Sequence, residues 1–257
     1  LEDEDAPKKA VEIDNYTLNF EDVCFAYEPG TEILQNISLS VHGKEKVTFV
    51  GRTGVGKSTL FKLIMGLLEP TSGLITIGGI DVYSIPNHQK RSIFGYVDQT
   101  FHMIKGSVAD QITLKDASIT REAVEKVLTY VGLNTSIELL DDGYDTLVQS
   151  DNMFSHGQKQ LLGIARAIVF NPPVLLLDEI TSNLDSVTEE KVVSVLRKIA
   201  EERMVLSISH RLTSILASDM VILLENGRIV NSGSPDTLIQ SDSWYRRHLS
   251  LESMTWN

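Results

Sequence analysis

The sequence predicts an α/β fold built on a parallel sheet, and three observations carry that prediction. A five-residue strand pattern, KVTFV from Lys46 to Val50, runs through a glycine turn straight into a helical pattern. Four consecutive apolar residues, Val174 to Leu177, read as a strand covered on both faces. The last third of the chain then alternates strand and helix, which requires a parallel sheet with helices packed on it.

The elements follow in order. The first residues, LEDEDAPKKAVEID, are charged and poor in large apolar groups, so residues 1–15 are expected to be a linker leading in from something upstream. From Tyr16 to about Gly43 the pattern is short and β-rich, as in LNFEDVCFAY and ILQNISLSV. Cys24 is the single cysteine; its apolar alternation places it in the core, and it excludes any disulfide framework. Ser58 to Leu68 reads as a helix, with Leu60, Leu63, Ile64 and Leu67 on one face. The middle, from about Gln99 to Phe170, is mostly helical. In it Thr120 is a natural N-cap, Ala123, Val124, Val127, Leu128 and Val131 form one apolar face, and Gly132 is a natural stop. A second helix there runs from about Gly157 to Phe170 and ends at Asn171-Pro172-Pro173. Beyond the Val174 strand, SVTEEKVVSVLRKIA opens with a capping-box pattern, Ser186 and Glu189, and buries Val192, Val195, Leu196 and Ile199. Met204 to His210 is another strand, and DMVILLENGRIVNSG is a hairpin turning at Asn226-Gly227.

Composition bounds the function. The chain has 257 residues, 42% of them hydrophobic, and a net charge of −12. A duplex-binding surface needs a basic patch to replace phosphate counterions, and no Lys/Arg-rich run is present, so nucleic acid is not expected as a partner. No apolar run approaches the roughly 20 residues of a membrane span.

The chemistry starts at Gly51-Arg52-Thr53-Gly54-Val55-Gly56-Lys57-Ser58-Thr59. Glycines at this spacing, after a strand and before a helix, fit the P-loop pattern. Backbone N–H groups close around phosphates, the helix N-terminus adds its positive dipole, and Lys57 neutralises the terminal phosphates. Ser58 is placed to ligate Mg²⁺. Asp178, ending the Val174 strand, is expected to hold Mg²⁺ through water, and Glu179 to polarise an attacking water. The fold class sharpens to a P-loop NTPase core that binds a nucleotide with Mg²⁺.

Between these two motifs lies FSHGQKQLLGIARAIVFNPP, Phe154 to Pro173. It resembles the signature region of ATP-binding-cassette (ABC) ATPases, usually Leu-Ser-Gly-Gly-Gln followed by a helix of Gln-Arg-x-x-x-Ala-Arg-Ala type. Other matches fall in that family's order over about residues 17–248. Tyr27 in FAYEPG resembles the aromatic that stacks on adenine, with Ile33 nearby in the nucleotide site. Gln99 in GYVDQT resembles the glutamine that senses Mg²⁺, SNLD ending at Asp185 the D-loop, and His210 the switch histidine at the γ-phosphate. The resemblance implies that the nucleotide is ATP, with an N-terminal antiparallel β subdomain and a helical signature subdomain at about residues 99–171, within an ATPase domain spanning 16–257.

It also implies a partner. In ABC proteins two domains pair head to tail, and Ser155, His156, Gly157 and Gln158 would contact ATP held by the other domain. Here Phe154 replaces Leu, and His156 replaces the first signature glycine, while Lys57, Asp178, Glu179 and His210 are intact. That asymmetry resembles one half of a heterodimeric exporter; a homodimer that tolerates His156 is the alternative. The linker, FHMIKGSV (residues 101–108) and the C-terminal GSPDTLIQSDSWYRRHL resemble exporter domains fused behind a membrane region at its cytoplasmic face, with 101–108 docking that region. A dimerising regulatory module, a non-transport ABC ATPase and a separately encoded importer subunit remain the rival readings.

Overall fold

The computed structural model describes residues 10–180, 184–209 and 218–247. Two sheets form the framework. Strands β1 (Leu18–Ala26), β2 (Glu32–Val41), β4 (Ser72–Ile77) and β5 (Ile80–Asp81) make an antiparallel sheet in the order β2-β1-β4-β5. The second sheet has the order β10-β9-β3-β8-β7-β6, from β3 (Lys46–Val50), β6 (Phe94–Val97), β7 (Val174–Asp178), β8 (Met204–Ile208), β9 (Met220–Glu225) and β10 (Arg228–Gly233). Its strands β9 to β6 are parallel, and only β10 returns antiparallel to β9. The expected parallel sheet and antiparallel companion are both present.

The continuous apolar run in β7 has its physical cause here. Val174 and Leu176 enter a core shared by the two sheets and α1 (Lys57–Ile64), while Leu175 and Leu177 enter a second core on the opposite face. That second core gathers α3 (Val108–Thr113), α4 (Arg121–Tyr130), α5 (Asn134–Glu138), α6 (His156–Ile168) and α7 (Ser186–Ala200). A shorter α2 (Asn87–Ile93) precedes β6, and α8 (Pro235–Ser241) follows β10. The β9–β10 turn is the expected two-residue one: Glu225 pairs Arg228, and Asn226 and Gly227 both have positive φ. Thr120 caps α4 by accepting from the Ala123 amide, and Gly132 (φ 74°) ends it.

Three expectations are corrected. The first helix stops at Ile64, and Leu67 is 58% exposed. Gly66 at φ 62° turns the chain, with Gly66 N–H donating to Leu63 and Leu67 N–H to Lys62, a Schellman ending that outweighs the apolar spacing. Cys24 is not in the core: a bulge at Asp22 (φ 47°) resets the alternation, so Val23 and Phe25 point inward and the half-buried Cys24 thiol donates to Asn36. The cap of α7 is one residue earlier than Ser186, because the Asp185 carboxylate accepts from Thr188 N–H and sets the helix start.

Candidate functional site

The carboxyl ends of neighbouring parallel strands assemble the site. Phe49, Ile208 and Asp178 lie level across β3, β8 and β7, so the glycine loop and Glu179 emerge side by side. This end of an open α/β sheet is where ligands bind.

Loop 51–59 is shaped by close backbone approach. A Cβ on Gly51 would come 2.4 Å from the Leu224 carbonyl oxygen, and Gly56 adopts φ 102° against Leu34 and Ile33. Arg52, Thr53 and Gly54 are exposed, Val55 and Thr59 half-buried. Lys57 is buried, and its ammonium donates to the carbonyls of Gly51 (2.7 Å) and Arg52 (3.1 Å). Burial lowers its pKa, against the opposing charges of Glu179 and Asp178. Ile33 lines a cavity of about 830 Å³ with Arg52, Thr53, Gly54 and Val55; neither Asp178 nor Glu179 borders it.

The acidic pair is held differently at each member. Asp178 is buried, which raises its pKa, and the hydroxyls of Ser58 and Tyr96 donate to it and partly offset that rise. Burial beside Asp178 and Asp98 in turn raises the Tyr96 phenol. Glu179 turns off the strand at φ 47°, its amide donating to Ile208, and its carboxylate accepts from the Gln99 side chain at 3.2 Å. Tyr27 stands 54% exposed beyond β1, edge-on to Phe25 at 4.9 Å, with its hydroxyl 3.3 Å from that of Thr59. One open aromatic face therefore sits beside the loop.

Ser58, Asp178 and Gln99 present only oxygen donors and one carboxamide, the hard set suited to Mg²⁺, which uses one or two protein ligands and completes its shell with phosphate and water. No cluster of three or more His, Cys, Asp or Glu suited to a metal occurs among the described residues.

Ser155 to Gln158 open α6, which packs chiefly on β6, α3, α4 and α7. Ser155 and Gln158 cap each other reciprocally, at 3.2 Å and 2.9 Å. The S-x-x-Q spacing announces this box, and the sequence reading passed over it. His156 is exposed, whereas a Cβ on Gly157 would meet Thr188 Cγ2 at 2.1 Å. The two signature positions are thus unequal: only the second is closed to side chains within this chain. Asp185 is the α7 cap described above, and His210 lies outside the described residues, as do Ser182 and Asn183 of the D-loop match. Within residues 101–108, Phe101 and Val108 are buried in the second core, leaving His102 and Lys105 exposed.

Residues 34–182, more than half of the chain, match the family model described as ABC transporter. The chain belongs to the ABC transporter family. It is 35% identical over 240 residues to the lactococcin transport/processing ATP-binding protein LcnC-like of Lactococcus lactis subsp. lactis (strain IL1403), covering 93% of this chain and 33% of that protein. It is 34% identical over 253 residues to a mitochondrial iron-sulfur clusters transporter of Oryzias latipes, covering 98% and 33%. Among solved structures it superposes on a bacterial Atm1-family ABC exporter with ATP bound, at TM-score 0.87 and 31% identity, covering 97% of this chain and 44% of that one. The resemblance to an exporter-type ATP-binding domain is borne out, and the chain spans about a third of the length of the curated relatives it matches. No helix among the described residues is long and apolar enough to cross a membrane.

Proposed function

We propose that this ABC transporter domain hydrolyses ATP to drive export across a membrane, from the cytoplasmic face, as one half of a heterodimeric pair. The observation that carries the reading is the convergence of Lys57, Ser58, Gln99, Asp178 and Glu179 at the ends of adjacent strands.

ATP enters with adenine on the open face of Tyr27 and phosphates in loop 51–59. Lys57 exchanges its two carbonyl partners for phosphate oxygens, which compensate its burial better. Ser58, Gln99 and, through water, Asp178 would hold the accompanying Mg²⁺, whose charge offsets that of the phosphates. Glu179 accepts a proton from the attacking water, and Gln99 fixes where that carboxylate points. Lys57 and His210 stabilise the departing γ-phosphoryl.

Two domains close head to tail, so Ser155, His156, Gly157 and Gln158 complete the partner's site, with Asp185 at the same interface. His156 places a side chain where the family has glycine, so this chain donates the weaker half-site while keeping its own catalytic set. That asymmetry favours a heterodimer over a homodimer. The membrane domain docks near residues 101–108, beside a groove of about 320 Å³ that includes Leu67, Phe94, Leu114, Arg166 and Phe170. The helical part, about residues 99–171, then transmits the nucleotide state to the transport path.

The test is ATPase rate against concentration for the chain alone, with Glu179→Gln as control. A low rate that rises on adding a second family member with an intact Leu-Ser-Gly-Gly-Gln supports the heterodimer. A rate per molecule that climbs steeply with the chain's own concentration, and vanishes in the control, assigns a homodimer. ATP binding and pairing with no hydrolysis in either case would mark a regulatory module instead.

A further inference from the structure

Gln160 is one of the buried polar side chains that the mechanism above leaves unused. Two residues beyond the signature, it is 1% exposed. Its Nε2 donates to the main-chain carbonyl of Gln99 at 2.9 Å, while its Oε1 is buried with no hydrogen-bond partner among the described residues. An orphaned buried acceptor destabilises a fold, and an apolar side chain of the same shape would remove that cost. The orphaned acceptor offsets what the bond to Gln99 contributes, so glutamine gains little stability over an apolar side chain here.

Gln160 does not act alone. Residues 160, 163 and 166 recur every three along α6 and share one face. A Cβ on Gly163 would sit 3.2 Å from the Phe101 ring, so that position leaves room for the ring to lie on the helix. The Arg166 guanidinium stacks 4.1 Å over the same ring and donates to the His102 carbonyl at 3.2 Å. Its other contact is to the Gln111 carbonyl. The segment from Gln99 to His102 is thus fixed to α6 at three successive points. The first of these holds the residue whose side chain reaches Glu179.

We propose that Gln160 is a positioning residue for hydrolysis: its amide fixes the Gln99 main chain so that the Gln99 side chain lies on the Glu179 carboxylate. The inference rests on the ATPase reading. It makes the helix that begins at Ser155 and the Glu179 carboxylate parts of one hydrogen-bonded chain, α6 to Gln160 to Gln99 to Glu179. A shift of α6 is then felt at Glu179 through two side chains.

The experiment uses the intact protein that carries this domain, comparing wild type, Gln160→Met, Gln99→Ala, the double variant and Glu179→Gln. Methionine keeps the length and removes both the donor and the orphaned acceptor; Gln160→Leu serves if methionine packs badly. The expected result is an unchanged or raised melting temperature, ATP binding within about twofold, and kcat lowered by about tenfold, the scale of one positioning contact. The loss in the double variant should equal that of Gln99→Ala alone, because both act through one contact. An unchanged kcat in Gln160→Met, or a loss that multiplies with that of Gln99→Ala, overturns the proposal while leaving the ATPase reading intact. A wild-type rate insensitive to Glu179→Gln instead overturns the hydrolysis reading and this inference with it.

Discussion

The Gln99 amide donates to the Glu179 carboxylate across 3.2 Å, joining the second residue after β6 to the first after β7. The bond holds one oxygen of the carboxylate that is proposed to take the water proton. Removing it frees the Glu179 side chain without touching the phosphate loop. Gln99→Ala should therefore lower kcat by about 10–100-fold, less than the roughly 10²–10⁴-fold that a whole general base contributes, while ATP affinity changes little. Paired measurements of turnover and equilibrium ATP binding check this, and an equal loss in both would assign Gln99 to binding instead.

The neighbouring signature positions should respond in opposite directions. Gly157→Ala drives a methyl into Thr188, 2.1 Å from its Cγ2, and should cost about 1–3 kcal/mol of stability as overpacking does. His156 is exposed, so His156→Gly should leave the melting temperature nearly unchanged. In the chain assayed alone, it should raise ATPase activity by about tenfold or more, if a backbone approach to phosphate is restored. Melting curves and steady-state ATPase on the two variants separate the effects; a His156→Gly variant no faster than wild type would show that the histidine does not weaken the donated half-site.

Much of this site was legible because its signals are local. The glycine spacing of loop 51–59, the doubly covered run Val174 to Leu177 and the Asn226-Gly227 turn each express a nearby backbone requirement. The illegible parts depend on distant partners or on a shift of register. Gln160 reads as an ordinary surface residue of a helix until Gln99, 61 positions away, is seen beneath it. Cys24 looked apolar-facing because a bulge is invisible to strict alternation, and Leu67 looked helical because the Gly66 ending was not weighed against spacing. The Ser155–Gln158 box was legible and local, yet the signature resemblance drew attention to those residues for another reason.

Tyr27 tests the base contact separately from the chemistry. Its ring is more than half exposed and stands perpendicular to that of Phe25, 4.9 Å between centroids. Tyr27→Ala should weaken ATP binding by about 1–3 kcal/mol, the usual worth of a base–aromatic stack. Tyr27→Phe keeps the ring and loses only the contact with Thr59, so it should bind ATP within about threefold of wild type, the scale of one exposed hydrogen bond. Fluorescent-nucleotide titration distinguishes the two, and equal losses in both variants would place the hydroxyl rather than the ring in the contact.

Tyr245 carries a prediction about alkaline stability. Its side chain is fully buried against Val50, Val221, Leu223 and Leu238, and its hydroxyl has no hydrogen-bond partner among the described residues. Burial, with the nearby Asp236 charge, pushes the phenol up to about 12. Between the ordinary tyrosine value near 10 and that raised value, the folded state keeps a proton that the unfolded state gives up, so stability falls as pH rises through this window. Below about pH 10 both states are protonated and the phenol contributes no pH dependence. Tyr245→Phe removes both the orphaned hydroxyl and the titration. It should be equal to wild type or more stable by up to about 1 kcal/mol at pH 7, and its advantage should grow steadily from pH 10 to 12. Denaturant unfolding of the two proteins at pH 7, 10 and 11 provides the comparison; a difference that stays constant with pH would mean that the hydroxyl finds a partner which stabilises the phenolate.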